Sequence, residues 1–323
     1  MSEFSQHDGG ILRVKVPLPF PLRWVNSYLI RGSGRYTLVD PGIRTAESEA
    51  AWQSALEQCG IGYGDIDRII LTHHHPDHYG LAGWFQEQTS APVYLSTQGL
   101  VQARLLWGPE RTMSEEMTEL FRQHGMDSGK CENIYEHMES FLDQVSPQPQ
   151  VTLLNPGDKI RMGDREYETI HTPGHADGHL CLYNFEAKVM FCGDHVLPRI
   201  SPNVSYIPGM DANPLQSYLD HLQRIAEYEV VQAYPGHREP FTAFRERALE
   251  LVGHHEQRLQ LMEEQLQQPM TCYQLCQALF GDRLSLHQLR FAMAETLAHV
   301  VYLDAEGRAE RKEDNGVFVY RSI

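Results

Sequence analysis

What the 323-residue sequence lacks narrows its identity first. No apolar run is long enough to span a bilayer; the earliest, residues 11–16, already contains Arg13 and Lys15. Residues 1–10 are polar and lack the basic, apolar and small-residue succession of a secretory signal, so the sequence predicts a cytoplasmic protein without a membrane partner. Its six cysteines (59, 131, 181, 192, 272 and 276) are scattered, which excludes a disulfide scaffold or a zinc ribbon. Cys272 and Cys276, one helical turn apart, suit a core. Positive charge is scarce too: 27 Lys and Arg against 43 Asp and Glu leave a net charge of -16, which repels polyanions and argues against a nucleic-acid partner.

What is present is ordinary in bulk and unusual in detail. The apolar fraction of 41% and a mean hydropathy of -0.42 are those of a globular chain whose length suits one large domain with an appendage. Alternating residues predict strands over 11–16, 24–30 and 36–39, the last ending at Asp40-Pro41-Gly42. A helical stretch over 46–58, with Trp52, Ala55 and Leu56 on one face, is closed by Gly60. Strands alternating with helices predict a layered α/β fold.

Directly after the apolar strand 66–71 comes Thr72-His73-His74-His75-Pro76-Asp77-His78. Imidazoles with a carboxylate are donors suited to zinc or another divalent first-row metal. Where a strand end turns into a loop, His73 and His75 can point one way and Asp77 and His78 another, which suggests two adjacent metals. Three further strand ends offer donors: His175 within Thr172-Pro173-Gly174-His175, Asp194 within Gly193-Asp194-His195, and His237 within Pro235-Gly236-His237. His171 and His179 read as structural, since a histidine without a spacing argument is usually a satisfied polar group.

These residues, in this order, resemble the metallo-β-lactamase superfamily over about residues 11–245. The resemblance implies a four-layer αβ/βα sandwich with metals at one edge. It implies that His73, His75 and His175 hold one divalent ion, that Asp77, His78 and His237 hold a second, and that Asp194 bridges them. The ions are expected to be zinc, with iron or manganese as the other candidates. Asp40 matches the family aspartate that steadies a ligand from behind. Two cations sharing a hydroxide would supply a nucleophile at neutral pH, with Asp77 aligning it and passing a proton to the leaving group. His195 and Tyr206 are further candidates for that acid. A persulfide dioxygenase branch resembles the chain in His73, His175 and Asp194 alone, as a triad for a single iron.

Residues 98–150 break the rhythm. Met113, Met117, Leu120 and Phe121, then Ile134, Met138, Phe141 and Leu142, predict an inserted helical hairpin, with Trp107, Met113 and Met117 as an adaptable apolar wall for a small-molecule substrate. The C-terminal part, 246–323 beside a catalytic domain of 1–245, reads as helices followed by a hairpin turning at Asp314-Asn315-Gly316. That order, and the run Glu295-Thr296-Leu297-Ala298-His299, resemble a winged-helix-bearing branch with ribonuclease-like members. Arg290 is offset by Glu295, and Arg311 and Lys312 by Glu310, Glu313 and Asp314, so a structural or homodimer-forming role is expected. The expected activity is hydrolysis of a small ester, thioester or lactone with an apolar portion; a nuclease is the alternative.

Overall fold

The structure is a computed structural model that describes residues 4–109 and 111–323. One sheet holds β1 (Phe4–His7), β2 (Ile11–Pro17), β3 (Trp24–Arg31), β4 (Tyr36–Val39), β5 (Ile66–Ile70), β6 (Val93–Leu95) and β7 (Val151–Leu153), side by side in chain order. Pairing is antiparallel as far as β4 and parallel beyond it. The other holds β8 (Lys159–Met162), β9 (Arg165–His171), β10 (Leu180–Asn184), β11 (Val189–Gly193) and β12 (Gln232–Pro235), antiparallel except for β11 with β12. Parallel pairing sets the C-terminal ends of β4 and β5, and of β11 and β12, side by side.

Period-two alternation builds the layers. In β3, Tyr28 and Ile30 join the core between the sheets, while Val25 and Leu29 face the opposite way. β10 and β11 do the same: Leu180, Leu182 and Phe191 point to the inter-sheet core, Cys181, Tyr183, Met190 and Cys192 to the outer one. Strands apolar on both faces need cover on both. On the first sheet it comes from α1 (Ala46–Cys59), the single turn α2 (Pro76–Tyr79) and α3 (Ala82–Thr89). Thr45 caps α1 by accepting from the Ser48 amide at 3.1 Å, and Gly60 ends it at φ 66°. Its Trp52 Nε1 donates to the Pro41 carbonyl at 2.7 Å, fixing the turn after β4.

Among the described residues the insertion has three helices where the sequence predicted two: α4 (Thr97–Trp107), α5 (Met113–Gln123) and α6 (Ser128–Glu139). The unread helix starts at Ser96, whose Oγ accepts from the Gly99 amide at 2.9 Å. The predicted continuation through Phe141 and Leu142 is instead a short 3-10 turn, Leu142–Val145. β1 was also unread, because 4–7 has no apolar alternation.

The second sheet is covered by α7 (Pro214–Ile225) and α8 (Phe244–Gln265). Past it come β13 (Met270–Thr271), α9 (Cys272–Phe280), α10 (Leu286–Ala305), β14 (Ala309–Asp314) and β15 (Val317–Ser322). The hairpin turns at Asn315 and Gly316, both at positive φ (52° and 81°). The 245/246 boundary falls in the first turn of α8, and one core runs through α5, α6, α7, α8, α9 and α10. Cys272 and Cys276 lie in that core, as expected. The C-terminal unit is therefore packed into the wall of the molecule: His124 Nε2 at the end of α5 lies 3.0 Å from Tyr320 Oη on β15. No helix among the described residues is long and apolar enough to cross a membrane.

Candidate metal centre

The strand ends converge their donors. His73, His75 and His175 form one group of ligand atoms lying within 4.8 Å of one another, and Asp77, His78 and His237 form another. Asp194, just past β11, stands between them: its Oδ2 is 3.7 Å from His175 Nε2 and 3.3 Å from His237 Nε2, and its Oδ1 is 3.5 Å from His78 Nε2. Asp77 Oδ2 is 3.2 Å from His237 Nε2. The structure thus brings together all seven residues singled out as ligands.

Hydrogen bonds behind the rings fix which nitrogen faces inward. His175 Nδ1 donates to the Asn203 carbonyl at 2.7 Å and His237 Nδ1 to the Trp24 carbonyl at 3.1 Å. Asp40 Oδ2 accepts from His78 Nδ1 at 2.9 Å and from Thr72 Oγ1 at 2.7 Å. Because the Thr72 hydroxyl donates to Asp40, its lone pair accepts from His73 Nδ1 at 2.9 Å. Asp40 thereby steadies two rings, one directly and one through Thr72, the outer arrangement typical of metal-ligating imidazoles. It holds φ 49°, a left-handed conformation that Asp tolerates. His75 differs, facing His73 Nε2 with its Nδ1 at 3.1 Å.

The donors fit cations. His78 Nε2, His175 Nε2 and Asp194 Oδ1 are buried without a hydrogen-bond partner, a costly state for polar atoms unless something binds them. Gly236 keeps the cradle open: a Cβ there would stand 2.2 Å from Asp194 Oδ1 and 2.6 Å from His78 Cε1. Gly174, at φ 123° against Tyr218, makes the turn that presents His175. Burial opposes protonation of every ring. At His73, His75 and His175 it prevails and holds them below the usual histidine range, in the neutral form that ligates. At His237 the Asp194 and Asp77 carboxylates outweigh burial and raise the ring to about 10, and at His78 they raise it well above its ordinary value. Against burial, His237 and His78 hold the Asp194 carboxyl well below the usual range.

A cavity of about 350 Å³ opens on His75, Asp77, His175, Asp194 and His237. Trp107, Met113 and Met117 line it as expected, joined by Met138 and Phe141. Tyr206 and His195 do not line it. Tyr206 packs into the helical core beside the lining residues Ser205 and Ile207. His195 is fully buried under α7, where Tyr218 Oη donates to its carbonyl, and burial lowers its ring to about 3. It has no route to a leaving group, which corrects the expectation of an acid or substrate contact there. His171 and His179 take part in hydrogen bonds that hold the loops: His171 Nε2 donates to the Asp177 carbonyl at 2.7 Å, His179 Nδ1 is 2.7 Å from Thr172 Oγ1, and the Asp194 amide donates to His179 Nε2.

Sequence reasoning missed one wall. The first half of α10 contributes His287, Gln288, Arg290, Phe291 and Ala294, and Phe20, Pro21 and Leu22 come from the β2–β3 connection. A signal existed for α10: it is apolar around much of its circumference, which marks a helix buried on several sides. Asn203, behind His175, sits in an irregular stretch with no such signal.

Comparison with known proteins agrees with this geometry. Residues 22–237 match the family model described as "Metallo-beta-lactamase superfamily", and residues 259–323 match "Metallo-beta-lactamase-like, C-terminal domain". A probable metallo-hydrolase of Bacillus subtilis, YqjP, is 28% identical over 92% of each chain. The acyl-coenzyme A thioesterase MBLAC2 of Homo sapiens is 26% identical over 68% of this chain and 75% of its own. Among solved structures, the metallo-beta-lactamase family protein TTHA1429 from Thermus thermophilus is 34% identical with a TM-score of 0.87, covering 97% of this chain and 99% of that one.

Proposed function

The chain belongs to the metallo-beta-lactamase superfamily, and from that membership we propose that it is a binuclear, zinc-dependent hydrolase of small thioesters or esters bearing an apolar acyl group. One observation carries the reading: two donor triads joined at Asp194 open onto a cavity walled by Trp107, Met113, Met117, Met138 and Phe141. Imidazoles and carboxylates without thiolate suit zinc in an open, catalytic setting. The relatives named as thioesterases support the acyl class.

When bound, a pair of divalent cations lowers the pKa of coordinated water and polarises the carbonyl under attack. The chain's own residues do the rest. Neutral His73, His75 and His175 would hold one cation and Asp77, His78 and His237 the other, with Asp194 between the two groups. Asp77 lines the cavity, so its carboxylate is placed to take the proton of the attacking water and deliver it to the leaving sulfur or oxygen. The aromatic and methionine wall excludes bulk water and orients the acyl chain.

Initial rates on acyl thioesters, esters and lactones of graded chain length, beside single-stranded RNA, test this, with Asp77→Asn as the control. Metal-dependent cleavage that rises with acyl length and is abolished by Asp77→Asn supports the reading; cleavage of RNA alone overturns it.

A further inference from the structure

Arg290 is the anomaly of the cavity. In a chain of net charge -16, this arginine lines the pocket from α10 with no hydrogen bond or ion pair among the described residues. Other arginines of similar burial are matched: Arg13 by Glu239 at 2.6 Å, Arg258 by Glu295 at 3.3 Å, Arg308 by Glu263 at 2.7 Å. Arg290 has only aromatic faces, its guanidinium lying 4.5 Å from the Phe291 ring centroid and 5.3 Å from that of Phe141. Those contacts hold the side chain in place but return less than desolvating an unpaired cation costs. Burial lowers its pKa to about 10, leaving it fully charged at neutral pH.

Among the described residues no carboxylate pairs with the guanidinium, although Asp77, across the same cavity, acts weakly on the neighbouring His287. His287, three residues earlier and on the same face, lines the same wall with its Nδ1 buried and unpartnered and its ring stacked on Phe20 at 4.4 Å. Burial first and the Arg290 charge second lower His287 to about 4, so at neutral pH it is an uncharged ring able to share a hydrogen bond. His137, edge-on to His287 at 5.5 Å, is held down in the same way. An unpaired guanidinium and an unsatisfied imidazole on one wall of a substrate cavity form half of an oxyanion site.

We propose that Arg290, with His287, is the specificity-determining element for a second anionic group, a carboxylate or phosphate, carried on the apolar part of the substrate away from the bond that is cleaved. This rests on the reading of the cavity as an acyl-binding site but concerns which acyl groups it takes. One end of such a molecule lies at the metal centre, its apolar middle against the methionine wall, and its charged end at α10. The C-terminal unit then contributes to substrate selection.

The test is equilibrium binding, so it remains valid even if no thioester is turned over. Calorimetry on the metal-loaded protein compares a straight-chain monocarboxylate, the dicarboxylate of equal length, and the analogue with a phosphate monoester at one end. The parent is expected to bind the doubly anionic probes at least about tenfold more tightly than the monocarboxylate, and Arg290→Met to lose that margin while binding the monocarboxylate unchanged. The better of the two dianions identifies the anion. Arg290→Met, which removes a half-buried, unpaired charge and keeps the stem, is expected to melt no lower than the parent. Equal affinity of the parent for mono- and dianionic probes, or a parallel loss of all three in Arg290→Met, overturns the proposal. So does a lower melting temperature with the margin intact, which would make Arg290 a packing residue. Graded hydrolysis of neutral and ω-carboxyl thioesters then separates the two claims: absent turnover with the binding margin intact rejects the hydrolase alone.

Discussion

Asn203 Nδ2 donates to Glu295 Oε2 across 2.9 Å, tying the loop that follows Asp194 to the C-terminal helix α10. The same amide reaches the Phe291 carbonyl at 3.1 Å, and the Asn203 backbone carbonyl accepts from His175 Nδ1 at 2.7 Å. A residue from the C-terminal unit, Glu295, therefore stands two hydrogen bonds behind His175, one of the proposed metal ligands.

Asn203→Ala keeps the carbonyl but cuts its anchor. The His175 ring loses its fixed orientation, and affinity for the cation held by His73, His75 and His175 is expected to fall by about tenfold, the scale of losing support behind a ligand. Competition against a chelator measures this; unchanged affinity would show that the loop holds its position without Glu295.

Asp194 and His237 differ in reach. Asp194 faces both donor groups, whereas His237 belongs to the second. Asp194→Ala is expected to deplete both cations and His237→Ala mainly the second. Metal-to-protein ratios after equilibration with a limiting chelator read this out, and the same loss in both variants would contradict the assignment.

Acyl length reports on the wall. α5 and α6 share a core with α10, so deleting the insertion would unfold more than the cavity wall, and a point change is the cleaner probe. Burial of each methylene is worth about 0.8 kcal/mol, or roughly fourfold in binding. Met117→Ala is expected to raise KM several-fold for long acyl substrates while leaving short ones and kcat nearly unchanged. A change independent of length would place the acyl chain elsewhere.

Acid sensitivity has a component outside the donor cluster. His299 is buried in α10, with Nδ1 donating to the Glu295 carbonyl at 2.7 Å and Nε2 3.1 Å from His255 Nδ1, and burial lowers it from 6.5 to about 4. Between those values the unfolded chain binds a proton that the folded chain refuses. Stability attributable to this ring is therefore whole above 6.5 and falls as pH drops towards 4, by about 1.4 kcal/mol per pH unit. His299→Gln should make the loss between about pH 7 and about pH 5 shallower by roughly one proton's worth. Urea unfolding of the metal-loaded parent and variant at both pH values checks it; parallel losses would show that His299 protonates freely in the folded state.

Much of the centre was legible because its chemistry is local. His73, His75, Asp77 and His78 lie within one turn of a strand end, and Gly174, Gly193 and Gly236 mark the other turns beside the donors they present. The strands were legible where one face alternates, as in β2, and β1 was not, since residues 4–7 carry no apolar alternation and its link to β2 through Arg13 Nε, which donates to Ser5 Oγ at 3.2 Å, joins residues eight apart in sequence. α4 was passed over because its start is signalled by a single serine. His195 misled because it adjoins Asp194 in sequence, while the turn after β11 sends it inward beneath Tyr218.

The sequence by itself determined the donor set, its order, the layered α/β class and the apolar character of the insertion. These follow from residue type and periodicity, which are properties of short segments. Only the tertiary structure decided what stands across the cavity. Phe20, Trp107, Met113, Met117, Met138 and Phe141 meet residues of α10 there because one continuous core packs α10 against the insertion, and no local pattern encodes which distant helix face closes a pocket. Burial then gave the meeting its chemistry: it left Arg290 charged without a partner among the described residues, His287 neutral, and Nε2 of His78 and His175 unsatisfied.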